Sequence, residues 1–126
     1  MSDAPLPMAE IVIRAAYASV VEEDEDGTLF IGFAEGEDED EPYCLFRQSL
    51  TGGPVWFQVN DESLEAEDAV QALHLGPKGL EITLRPEKAA QLGWATHVRV
   101  RIGPDCESAD EAIAALRAMF GPIFTA

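Results

Sequence analysis

Basic side chains are scarce in this chain: 8 Lys and Arg stand against 24 Asp and Glu in 126 residues, for a formal charge of −16 and a pI near 4.2. So negative a protein repels phosphate backbones and anionic headgroups instead of releasing their counterions, which argues against direct binding to nucleic acid or to an anionic membrane. Histidine is scarcer still. His74 and His97 are the only two, and neither falls in an HExxH or CxxC-type spacing, so a zinc site would have to be assembled from distant residues. Two cysteines, Cys44 in an apolar strand pattern and Cys106 in a polar turn after Gly103-Pro104-Asp105, make no disulfide framework, and a reduced pair is expected. The N-terminal MSDAPLPMAE lacks a basic segment and an apolar core, and no apolar run approaches the roughly 20 residues of a membrane span. A soluble, unexported, cytoplasmic protein is the expectation.

Signatures of catalysis are missing as well. There is no GxSxG elbow, and neither Gly52-Gly53 nor Gly76 to Gly79 belongs to a GxxxxGK[ST] or GxGxxG phosphate loop. Carboxylates are so abundant that no particular pair suggests general acid–base work. The expectation is a protein that is not an enzyme and takes no cofactor or metal.

What the chain does have is acid, concentrated. Glu22 to Glu41 holds eleven of the 24 acidic residues and no basic one, as two runs (EEDED and EDEDE) around the apolar segment Thr28 to Ala34. Neighbouring like charges repel unless water or an opposite charge screens them, so both runs should be loops flanking one buried strand. They are either solvated turns or a surface presented to a basic partner, whose approach a field of one sign would steer. The candidate partner-binding residues are Glu22, Glu23, Asp24, Glu25 and Asp26 in the first run, Glu37, Asp38, Glu39 and Asp40 in the second, and Trp56 as an aromatic anchor. Seven strand residues would set the two runs roughly 23 Å apart, so they need not serve one site. The register Glu22, Asp24, Asp26, Gly27 superficially resembles a calcium loop. The twelfth position would be Phe33 instead of a bidentate glutamate, and the flanks read as strands, so calcium is not expected.

The length fits one domain, a flexible lead-in at 1–8 followed by 9–126. Glu10 to Val21 alternates Ile11, Ile13, Ala15 and Tyr17 on one face of a long strand. Thr28 to Ala34 follows, then Pro42 to Leu50 with Tyr43, Leu45 and Arg47 opposite Cys44, Phe46 and Gln48. After the Thr51-Gly52-Gly53-Pro54 turn, Val55 to Asn60 returns antiparallel, with Trp56 and Phe57 on opposite faces. Asp61 to Asp68 reads as a loop or one turn of helix. Ala69 to Leu75 and Leu80 to Arg85 form a hairpin, Pro86 to Leu92 a short helix, and His97 to Ile102 the last strand. Ser108 and Glu111 are spaced as a capping box opening a helix through Phe120, closed by Gly121-Pro122. The expected architecture is α+β: a mostly antiparallel sheet of six to seven strands, with a short helix and a C-terminal helix packed on one face.

The order of these motifs resembles the immunity protein 10 family of bacterial polymorphic toxin systems. The residues that carry the likeness are Val21-Glu22-Glu23-Asp24 after the first strand, Tyr43-x-x-x-Arg47 through Gln48, and Val55 to Val59. It continues through Leu80-x-Ile82-x-Leu84, Leu92-Gly93, Val98 to Ile102 and Leu116 to Phe120, and so covers most of the chain. The resemblance implies a small cytoplasmic α+β protein that binds the catalytic domain of a cognate toxin and blocks it without chemistry of its own. Charge adds that the toxin domain has a basic cleft. The contrasting expectation is a self-associating structural or regulatory module, a homodimer with no toxin partner, whose acidic loops serve solubility.

Overall fold

The computed structural model describes residues 9–23, 25, 27–36, 38 and 40–126. The expected lead-in at 1–8 and, of the candidate acidic residues, Asp24, Asp26, Glu37 and Glu39 lie outside that set. In chain order the strands are β1 (Ala9–Glu23), β2 (Thr28–Ala34), β3 (Tyr43–Ser49), β4 (Gly52–Val59), β5 (Glu65–Glu67), β6 (Val70–Gly76), β7 (Gly79–Leu84), β8 (Ala95–Glu107) and β9 (Phe124–Thr125). The helix α1 (Ala109–Phe120) precedes β9, and short 3-10 helices cover Pro86–Leu92 and Gly121–Ile123.

All nine strands belong to one sheet ordered β5-β4-β3-β2-β1-β8-β7-β6-β9. β1 to β5 form an antiparallel meander and β6 to β8 a second one, as sequence-adjacent strands joined by short turns should. The long β1 joins the two: its C-terminal half pairs with β2 antiparallel, its N-terminal half with β8 parallel.

The sheet cannot be flat. β5 and β6 stand seven positions apart in it, about 34 Å if it were planar, yet only Asp68 and Ala69 separate them in sequence. Three Cα steps reach at most about 11 Å, so the sheet rolls until its ends approach. Asp68 N–H donates to Val55 O on the β4–β5 side and Arg85 N–H to Ala69 O on the β6–β7 side, both at 2.8 Å, and the Arg85 guanidinium reaches the Asp68 carboxylate at 3.7 Å.

Inside the roll lies the core, built from one face of every long strand. Ile13, Ile31, Phe33, Phe46, Phe57, Val59, Leu73, Leu80, Ile82, Leu84 and Val98 are all essentially inaccessible to solvent. Helix α1 lies against β1, β2 and β9 and sends Ala112 and Leu116 into this core. Phe120 meets the ring of Phe46 edge-on at 5.7 Å. Among the described residues no helix is long and apolar enough to cross a membrane.

Several expectations need correction. The sheet has nine strands, not six or seven: the connector expected at Asp61 to Asp68 contains β5, and β9 follows α1. β8 runs from Ala95 to Glu107, so Cys106 belongs to a strand and not to a turn. Tyr17 does not share a face with Ile13 and Ala15, because the β1–β8 ladder shifts register between Ala15 and Tyr17. That bulge inverts the alternation, so that Ala18 becomes buried and Tyr17 is 40% exposed. Ser108 does precede α1, but its backbone is left-handed, with φ 61°, and its side chain makes no capping bond. The box spacing is present while the extended N-cap backbone it requires is not.

Candidate binding surface

The residues alternating with the core on β1 to β5 face outward, and the registers align them in rows. Val21, Phe30, Arg47, Trp56 and Glu67 form one row, Ser19, Gly32, Leu45, Gln58 and Glu65 the next, and Tyr17, Ala34 and Tyr43 a third. A solvent-facing sheet surface is ordinarily polar. This one carries four aromatic rings, of Phe30, Trp56, Tyr17 and Tyr43, and a leucine.

Trp56 was expected to stand opposite Phe57, and it does: Phe57 is in the core and Trp56 on the outer face. Its ring is not bare. The Arg47 guanidinium lies 4.7 Å from the ring centroid and also meets the Glu65 carboxylate at 2.9 Å, so one cation is shared between a π face and an anion.

At the Tyr17–Tyr43 end the surface sinks into a depression of about 710 Å³. Gly32 gives it its depth: a Cβ there would come within 3.3 Å of Ser19 Oγ and 3.4 Å of Leu45 Cδ1. Tyr17, Tyr43, Leu45 and Gln58 line it, with Gln58 Nε2 donating to the Tyr43 hydroxyl. Acids border it from two loops, Asp38 and Asp40 from the β2–β3 connection and Asp61 and Glu62 from the β4–β5 connection.

Backbone bonds fix the described residues of both loops. In the first, Glu35 N–H donates to Pro42 O at 3.0 Å and Glu41 N–H to Asp38 O at 3.1 Å. Glu35 itself accepts the Arg14 N–H through Oε2 at 2.7 Å. The Glu41 carboxylate folds over Gly36, into the space a side chain there would occupy. In the second, Asn60 Oδ1 accepts the Tyr43 N–H and Asn60 N–H returns a bond to Tyr43 O, each at 3.0 Å. Asp61 Oδ1 accepts the Ser63 N–H and hydroxyl, both at 2.9 Å. These two bonds hold the Asp61 carboxyl below its ordinary range.

The depression therefore gathers Asp38 and Asp40 from the candidate set. Glu22, Glu23 and Glu25 are exposed at the opposite end of β2 and contribute nothing to it, and Trp56 lies outside its lining. Sequence reasoning missed Tyr17, Gly32, Asp61 and Glu62. Only Tyr43, alternating with buried Cys44, carried a readable signal.

Among the described residues no group of three or more His, Cys, Asp or Glu is gathered as a metal site would need. Cys44 is buried in the wall, and desolvation pushes its thiol pKa far up, away from a reactive thiolate. His74 Nδ1 rests 2.9 Å from Thr125 Oγ1, and His97 Nδ1 3.1 Å from Thr96 Oγ1. A largely polar hollow that holds two tyrosines within an anionic border suits recognition of a cationic group carried on a partially apolar body. Comparison with known proteins finds no matching family model, no similar curated protein and no similar solved structure.

Proposed function

We propose that this chain is a non-enzymatic binding protein of the immunity type, neutralising a cognate bacterial toxin domain by covering a basic cleft. The observation that carries the reading is the acid-bordered depression on the outer sheet face. Carboxylates at the border and the Tyr17 and Tyr43 rings in the lining offer a lysine or arginine of the partner both charge pairing and a ring to lie against. The overall charge of −16 adds long-range steering toward such a cleft. Asp38, Asp40, Asp61 and Glu62 are the contact residues on this reading, with the Glu22 to Asp26 run contributing mainly to the field.

The test is co-expression with the product of the neighbouring toxin-like gene, followed by stopped-flow association of the purified pair. Rescue of growth is expected. Reversing Asp38, Asp40 and Asp61 to lysine should slow association by about tenfold or more at low salt, with the difference shrinking as ionic strength rises. Association unchanged by that triple reversal would refute the depression as the contact surface. Absence of rescue, with a concentration-dependent homodimer instead, would replace immunity by self-association.

A further inference from the structure

Every cation of this chain lies within the described residues, which makes their pairing informative. Arg47 meets Glu65, Arg85 meets Asp68, Arg99 meets Glu10 at 3.2 Å, and Arg117 lies over the Phe124 ring. With three acids for each base, a carboxylate partner is easy to find. Among the described residues Arg14, Lys78, Lys88, Arg101 and Arg117 nevertheless make no ion pair, and of these Arg14 and Arg101 line one depression together.

They are also neighbours. Arg14 on β1 is the direct register partner of Arg101 on β8, and strands in a sheet lie about 4.8 Å apart. Like charges so placed destabilise the ladder unless something neutralises them. Lys78 adds a third cation nearby: it precedes Gly79, the register partner of Arg101 on β7, and its carbonyl accepts the Ile102 N–H at 2.9 Å. Arg14, Ala15, Arg101 and Gly103 line a second depression of about 530 Å³. Gly103 to Cys106 have no ladder partner on β1, since the register passes from Ala15–Ile102 to Tyr17–Glu107, and the space around Gly103 is open. Two nearby acids are engaged elsewhere, Glu35 with the Arg14 backbone N–H and Glu10 with Arg99, while Asp105, Glu107 and Glu81 stand close in sequence or register without an ion pair to either arginine.

We propose that Arg14 and Arg101 form a binding site for a phosphate monoester. Two guanidinium forks present more donors than one carboxylate, with two oxygens, can satisfy, whereas the three terminal oxygens and double charge of a monoester match both. A phosphodiester strand suits the site less, because each phosphate brings one charge and the rest of the strand meets an acidic protein. This site is separate from the proposed toxin-binding depression and stands or falls without it.

The test uses the full chain. Inorganic phosphate, phosphoserine, acetate and a short single-stranded oligonucleotide are titrated at constant ionic strength while backbone amide resonances are followed by NMR. Saturable shifts centred on Ala15, Arg101 and Gly103 are expected with phosphate and phosphoserine, at a Kd on the order of millimolar. Arg14→Gln and Arg101→Gln should each weaken that binding about tenfold, while Arg99→Gln should leave it within about twofold. Unaltered thermal unfolding of the variants checks that the fold is intact, and the wild-type shift map stands independently of any variant. Acetate or the oligonucleotide acting as well as phosphate, no saturable shift, or equal loss in Arg99→Gln would each overturn the proposal.

Discussion

Gly79 opens β7 with φ +138°, and a Cβ added there would lie 2.0 Å from Val100 O, 2.9 Å from Ile102 N and 3.1 Å from the Val100 carbonyl carbon. All three are backbone atoms of β8, so no rotamer change relieves the clash; the β7–β8 ladder has to separate by more than an ångström. Overpacking of this kind costs about 1–3 kcal/mol, and a left-handed backbone forced on a residue with a Cβ adds about 1–2 kcal/mol. Gly79→Ala should therefore lose about 2–5 kcal/mol, a large share of the 5–15 kcal/mol typical of a whole domain. For a chain of this size that is a fall in Tm of about 8–20 °C. The matched control is Gly103→Ala, where nothing lies within 4 Å, and a change below about 1 kcal/mol is expected. Urea unfolding followed by circular dichroism supplies both values. A Gly79→Ala protein within about 1 kcal/mol of wild type would refute the close approach of β7 to β8 and, with it, the register that sets Arg101 beside Gly79.

The two thiols should differ in reactivity: Cys44, buried and with its pKa driven up by desolvation, should resist a thiol reagent until the protein unfolds, whereas half-buried Cys106 should react in the folded state, though slowly, because burial and Glu107 raise its pKa too. Prompt labelling of both would contradict the described core. Trp94 is 68% exposed and holds φ 66°, so Trp94→Gly relieves strain that Trp94→Ala retains, and should be the more stable of the two by about 1 kcal/mol in thermal or urea melts. The Asp61 carboxyl should titrate below its ordinary 3.8 in a carbon-detected NMR titration. Its lowered folded-state pKa means the Ser63 bonds are at full strength above 3.8 and are lost as pH falls through the folded value; Ser63→Ala removes the hydroxyl bond and keeps the larger backbone N–H contribution, so it should raise that value part of the way toward the ordinary one, and a titration unmoved by the substitution would rule out the hydroxyl bond as a cause.

The parts of the fold legible in the sequence are those written by local chemistry. Gly52-Gly53 and the Gly76 to Gly79 turn marked their hairpins, and strict alternation in Tyr43 to Gln48 and Leu80 to Arg85 assigned each side chain to its face. The rest depended on contacts distant in sequence. β5 and β9 have three and two residues, too few for periodicity to register, and exist because β4 and β6 offer them an edge. The bulge at Ala15 to Tyr17 leaves no mark in composition, yet it turns Tyr17 outward into the depression. For the site, the acidic loops were visible as charge runs. Which of them borders a hollow was not, because Gly32, Asp61 and Glu62 come together only when β1 to β4 are paired.

The parallel ladder between β1 and β8 also governs the order in which the protein can assemble. Apart from this ladder and the two-residue β6–β9 contact, every strand pairs with its neighbour in the chain. Residues 9–67 and 70–126 can each form hairpins quickly, but the seam between them joins Ile13 to Val100 and must close a loop of most of the chain's length. Loop closure of that span is entropically costly and slow compared with hairpin formation. Until it closes, β1 and β8 each expose an unpaired edge of apolar residues, so the interval before the seam forms is when the nascent chain is most open to aggregation. The strong negative charge, read above as a means of attraction, then serves as repulsion between incomplete copies of the same chain.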